Sequence, residues 1–100
     1  MTILITGGSG FVGINIIEKF LDAGIDIVNY SLTPVPMEAE NVFQVKKGQY
    51  LYVEGDILNG DLLMQTLKRY QITCLIHAAA ITPDKEHEKK MTFAICTITI

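Results

Sequence analysis

The sequence predicts an α/β domain: an open, doubly wound parallel sheet with helices on both faces. Three observations carry this expectation. Short aliphatic runs alternate with amphipathic stretches along the 100 residues. A glycine-rich turn, Gly7-Gly8-Ser9-Gly10-Phe11-Val12-Gly13, joins the first run to the first amphipathic stretch. A second aliphatic run then arrives after a short connection, as a right-handed strand-helix-strand unit requires. The expected spatial order of the first four strands is 3-2-1-4, the first half of such a fold.

Thr2 to Thr6 reads as a buried strand, short and rich in β-branched and aliphatic residues. From Gly10 to Ala23 the apolar positions Val12, Ile16, Ile17, Phe20 and Leu21 recur at helical spacing, with Asn15, Glu18, Lys19 and Asp22 opposite and Gly24 as a stop. Ile25 to Leu32 reads as the second strand. Thr33-Pro34-Val35-Pro36 forbids regular structure, and Met37 to Gly48 is expected to be loop or one irregular turn. Tyr50 to Val53 restores strand character. Asn59 to Tyr70 reads as a helix with Leu63, Leu67 and Tyr70 on its inner side, and Thr73 to His77 as a fourth strand. Asp84 to Lys90 is densely charged and reads as the solvated start of another helix. The apolar, β-branched tail from Met91 to Ile100 has no assignable state.

Composition narrows the functions. One hundred residues allow one small domain, 49% apolar, with a net charge of −3. Only eight lysines and arginines are present, so there is no electrostatic footprint for nucleic acid. No apolar run approaches the ~18 residues that a membrane span needs, and no basic region precedes the first strand as in a signal peptide. Cys74 and Cys96 fall in apolar stretches without metal-like spacing; they read as reduced thiols rather than a disulfide, which points to the cytoplasm.

The glycine turn carries the chemistry. Gly7 permits a tight turn, since only glycine takes positive φ cheaply. Gly10 lets the chain approach a diphosphate without a side chain in the way, and Gly13 lets the helix lie close to the sheet. Backbone amides from Ser9 through Phe11 to Val12, with the helix dipole, would hold two linked phosphates. The plain alternative is a turn that merely connects two elements. A P-loop is excluded, because no Gly-Lys-Ser/Thr follows.

The spacing Thr6-Gly7-Gly8-Ser9-Gly10-Phe11-Val12-Gly13 resembles that of the extended short-chain dehydrogenase/reductase family, which includes nucleotide-sugar epimerases and dehydratases. Gly55-Asp56-Ile57 resembles the family's aspartate after the third strand, whose carboxylate accepts from the adenine amino group. Leu75-Ile76-His77-Ala78-Ala79-Ala80 resembles its fourth-strand signature, where small residues leave room for ribose and diphosphate. The three motifs span nearly the whole chain. The resemblance implies a Rossmann-like fold and an NAD or NADP cofactor gripped by Gly7, Gly10, Phe11, Val12 and Gly13, with Asp56 and Ile57 at adenine and Ala78, Ala79 and Ala80 giving space. Asp56 also reads as a helix cap. His77, ending an apolar strand, reads as a hydrogen-bonded structural residue rather than a proton-transfer group, and His87 belongs to a solvated charged run.

Two departures matter. Members that prefer NAD usually carry an acidic residue at the end of the second strand; here that position falls at Ser31. Serine can hydrogen-bond a ribose but gives no strong bias against a 2′-phosphate. Arg69 is remote in sequence, and Lys46 and Lys47 could reach in from the loop but read rather as a solvated face, so NAD and NADP both remain open. The family's Tyr-x-x-x-Lys pair is also absent: four residues beyond Tyr30, Tyr50, Tyr52 and Tyr70 stand Pro34, Glu54, Asp56 and Cys74. The expectation is the amino-terminal, cofactor-binding part of a larger enzyme, with a non-catalytic dinucleotide module or sensor as the alternative. A fourth strand left at an uncovered edge beside an apolar tail would favour homo-oligomers.

Overall fold

A computed structural model describes residues 1–78 and the backbone of a further strand at 94–97. In chain order the elements are β1 (Thr2–Thr6), α1 (Phe11–Asp22), β2 (Asp26–Ser31), α2 (Met37–Gln44), β3 (Tyr50–Glu54), α3 (Gly60–Arg69), β4 (Cys74–His77) and β5 (Ala94–Thr97). They form one sheet in the order β3-β2-β1-β4-β5. The first four strands are parallel, in the predicted order 3-2-1-4. Thr6 pairs with Tyr30 on one side and His77 on the other, so the carboxyl ends of the central strands are level.

The pleat divides β1 between two cores. Ile3 and Ile5 face one layer, with Ile17 and Leu21 of α1 and Phe43 of α2; Leu4 faces the other, with Leu67 of α3, Ile72 and Tyr30. Both faces are therefore covered, which is why a parallel strand reads as a continuous apolar run. On α1 the residues Gly13, Ile17 and Leu21 recur every four positions and are its buried stripe. Gly24 ends the helix as predicted: its φ is +83°, and its N–H donates to the Leu21 carbonyl at 3.0 Å. The α3 helix is capped by Asn59, whose Oδ1 accepts from Leu62 N at 3.2 Å.

Two expectations are corrected. Met37 to Gln44 is a helix, not loop. Glu38 and Glu40 favour its first turn through the helix dipole, and Phe43 is its single buried anchor, its ring 4.7 Å from that of Tyr50. One fully buried residue in eight, with only the small Ala39 packing beside it, leaves little periodicity to read. Nor is β4 an uncovered edge: β5 pairs with it antiparallel, with Ala94 opposite His77 and Thr97 opposite Cys74. The same register sets Cys96 against Leu75, and Cys74 is a free thiol. The expected helix start at Asp84 to Lys90 lies outside the described residues. Among the described residues no helix is long and apolar enough to cross a membrane.

Candidate functional site

A cleft of about 370 Å³ opens at the carboxyl ends of β1, β2 and β3. Its walls come from three segments: the turn from Gly7 to Gly10, the end of β2 from Tyr30 to Thr33, and the loop from Gly55 to Ile57. An open parallel sheet offers its ligand crevice at this end.

The turn is built by two different glycine requirements. Gly7 has φ +67°, the left-handed region, and its N–H donates to the Tyr30 carbonyl at 3.1 Å. At Gly13 a β-carbon would stand 2.6 Å from Gly8 Cα, so the first turn of α1 lies directly against the glycine loop. That refines the expected role: the close approach is to the turn itself. Gly10 differs from both. It is the N-cap of α1 with φ −80°, and a β-carbon there would meet nothing nearer than the Gly7 carbonyl at 3.8 Å. No side chain caps this helix and no acidic residue occupies its first turn. The amides of Phe11 and Val12 are among the helix's first N–H groups, which have no intrahelical partner.

The opposite wall is tied together by β2. The Tyr30 hydroxyl, fully buried, donates to the Asp56 carbonyl at 2.9 Å, and Gly55 N donates to the Ser31 carbonyl at 3.0 Å. Burial raises the Tyr30 pKa above the ordinary phenol value, and the nearby Asp56 carboxylate adds to the rise. Asp56 itself is exposed; one carboxylate oxygen accepts from Leu58 N at 2.9 Å. It therefore shapes a local turn, while the helix cap three residues on is Asn59.

Of the expected site residues, Gly7, Gly10, Ser31, Asp56 and Ile57 meet in the cleft. Phe11 is 83% exposed at the start of α1, with Val12 half-buried and Gly13 buried behind it. Ala78 is buried just beyond β4, its N–H donating to the Thr6 carbonyl at 2.9 Å; Ala79 and Ala80 lie outside the described residues. His77 shares a 2.8 Å hydrogen bond with the buried Thr6 hydroxyl, the structural role expected of it. Lys46 does not reach the cleft. Its ammonium pairs with Asp22 at 2.8 Å and Glu18 at 3.6 Å, towards the far end of α1, and these carboxylates raise its pKa.

Sequence reasoning missed Asn29. It is completely buried on β2 and bonds to Ser9, Ser31 and Tyr50. The available signal was a lone amide between Val28 and Tyr30 in a strand otherwise fit for a core, since a buried amide must find partners.

Comparison with known proteins agrees with this geometry. UDP-glucose 4-epimerase from Pasteurella multocida is 33% identical over 92 residues, which cover 90% of this chain and 27% of that protein. The crystal structure of UDP-glucose 4-epimerase from Bifidobacterium longum, in complex with NAD+ and UDP, superposes with a TM-score of 0.70 at 25% identity. That match covers 81% of this chain and 25% of the other. The enzyme of the same name from Brucella ovis, in complex with NAD, gives 0.66 at 30% identity over 86% of this chain and 25% of the other. The chain thus spans about a quarter of the length of the relatives it matches. Residues 3–96 match the model of the NAD dependent epimerase/dehydratase family, nearly the whole chain, and the chain belongs to that family.

Proposed function

We propose that this chain grips NAD at the carboxyl end of its sheet, as the cofactor-binding part of an enzyme acting on nucleotide-linked sugars by epimerisation, dehydration or reduction. The observation that carries this reading is Gly10. Neither its backbone angles nor its neighbours inside the protein require glycine, so the missing side chain serves space outside, where a diphosphate fits.

The other residues suit the same group. Amides of Phe11 and Val12 at an uncapped helix N-terminus attract phosphate oxygens. Asp56 retains a second carboxylate oxygen for the adenine amino group, and Ile57 offers an apolar face. Ala78, followed by Ala79 and Ala80, keeps the end of β4 free of bulk. A bound NAD would supply the hydride chemistry, taking hydride from a substrate carbinol and returning it to the resulting carbonyl. What these residues do is bind and orient. The UDP-glucose 4-epimerases among the relatives support a nucleotide-sugar substrate for the whole protein.

A cytoplasmic location and self-association belong to the proposal as well. Pairing between copies would run through β3 or β5, the border strands among the described residues.

The test is Gly10→Val in the full chain. Stability should change by no more than about 1 kcal/mol, the scale of an N-cap substitution. Calorimetric affinity for NAD should fall by about tenfold or more, equivalent to roughly 1.4 kcal/mol. Undiminished affinity in a folded variant rejects the reading.

A further inference from the structure

The end of β2 has no carboxylate to receive the adenosine ribose, so recognition there needs another device. Resting on the cofactor reading above, we propose that Ser31 and Ser9 form a neutral pair of hydrogen-bond acceptors for the ribose 2′-hydroxyl of NAD. The Thr33 carbonyl fixes the polarity of Ser9, Asn29 is the positioning residue that fixes that of Ser31, and the pair rejects a 2′-phosphate without any charge.

The direction of every hydrogen bond in this cluster follows from one carbonyl. The Ser9 hydroxyl donates to the Thr33 carbonyl, which can only accept. Ser9 Oγ has then given away its single proton and can only accept from Asn29, whose Nδ2 lies 3.1 Å away. The same amide group donates to the Tyr50 hydroxyl at 3.0 Å. Asn29 Oδ1 is thereby turned to Ser31 and takes its proton at 2.6 Å. Burial keeps Tyr50 protonated by raising its pKa, a rise that the Asn29 hydrogen bond partly offsets. The amide is fully enclosed: a β-carbon on Gly8 would fall 2.5 Å from Asn29 Oδ1.

Both serines line the cleft, and each has committed its proton inward. What they offer a ligand is lone pairs. A ribose hydroxyl can donate to them, as it donates to the carboxylate of other dinucleotide sites. A 2′-phosphate brings only acceptors and would meet acceptors. Among the described residues no lysine or arginine lines this cleft to compensate, and Lys46 is held by Asp22 and Glu18.

The experiment is calorimetric titration of the full chain and its variants with NAD, NADP and 2′-deoxy-NAD. The unaltered chain should bind NAD about tenfold more tightly than NADP. Ser31→Ala should weaken NAD by about fivefold, the value of one hydrogen bond near 1 kcal/mol. It should leave NADP and 2′-deoxy-NAD within about twofold, because neither uses that acceptor. Asn29→Leu frees the Ser31 proton, while Ser9 keeps its bond to the Thr33 carbonyl, and should draw the NADP-to-NAD affinity ratio towards one. Should that variant not fold, Ser31→Ala decides alone. Equal affinity of the unaltered chain for NAD and NADP overturns the inference, and so does an equal loss for NAD and 2′-deoxy-NAD in Ser31→Ala. Both outcomes leave NAD binding intact and so spare the cofactor reading. Binding of neither dinucleotide removes that reading and this inference together.

Discussion

A β-carbon on Gly13 would lie 2.6 Å from Gly8 Cα and 2.8 Å from the Gly8 carbonyl carbon, all of it backbone. Such a clash cannot be relieved by turning a side chain; α1 must move off the glycine turn. Gly13→Ala should therefore destabilise the chain by about 1–3 kcal/mol, the usual cost of overpacking, despite alanine's better helix propensity. Urea denaturation measures this, and a variant as stable as the parent would mean the helix has room to shift. Gly10 has no such neighbour, which is what separates a glycine kept for packing from one kept for a ligand. Sequence spacing identifies the triplet but cannot tell these roles apart, since each depends on what lies opposite in space. Asn29 is the converse case. Its amide stands in plain sight within an aliphatic strand, yet its partners Ser9 and Tyr50 are 20 and 21 residues away, and only the fold brings them together.

Elements whose residue pattern repeats along the sequence were legible, and those without such a pattern were not. The apolar stripe of α1, the aliphatic β1 and the capped α3 each repeat a pattern that burial enforces. By contrast α2 buries only Phe43, and β5 follows a charged segment that gives no hint of an antiparallel return. The predicted span of β2, Ile25 to Leu32, is one residue too long at each end because both flanking residues are apolar without being paired in the strand. Strands β2 and β3 share a further property, three tyrosines whose pKa values all rise above the ordinary 10.0. Burial is the first cause for each, with Asp56 adding at Tyr30 and Glu54 at Tyr52. A raised folded value means the folded chain holds its phenol protons longer than the unfolded one. Their stabilising contribution is complete below pH 10.0, the unfolded value, and is lost as pH rises through the folded values. Denaturant midpoints should consequently fall above that pH. Tyr52→Phe should flatten the decline, because its hydroxyl donates to the Ser31 carbonyl at 3.2 Å and would otherwise have to ionise there. An identical decline in that variant would assign the alkaline loss to other groups.

At the scale of the whole molecule, the sheet is asymmetric about β1. On one side two parallel strands carry the cleft walls; on the other, β4 is only four residues long and is paired along its outer border by β5. Leu75 and Ile76 of β4 are 7% and 6% exposed and belong to opposite cores, so this short strand links the two layers. The antiparallel ladder from Cys74–Thr97 to His77–Ala94 satisfies backbone groups that would otherwise face solvent as an open template. Deleting residues 91–100 removes that cover and leaves Cys74–His77 as a sheet edge flanked by buried aliphatic side chains. Unpaired edges of this kind recruit other chains, and the strand contains neither proline nor lysine to discourage them. The shortened chain should accordingly form concentration-dependent oligomers or aggregates in sedimentation velocity runs, at loadings where the intact chain gives a smaller species. A shortened chain that sediments like the intact one across the same range would show that β5 is dispensable as a cover, and that the border of β4 is protected by its own brevity.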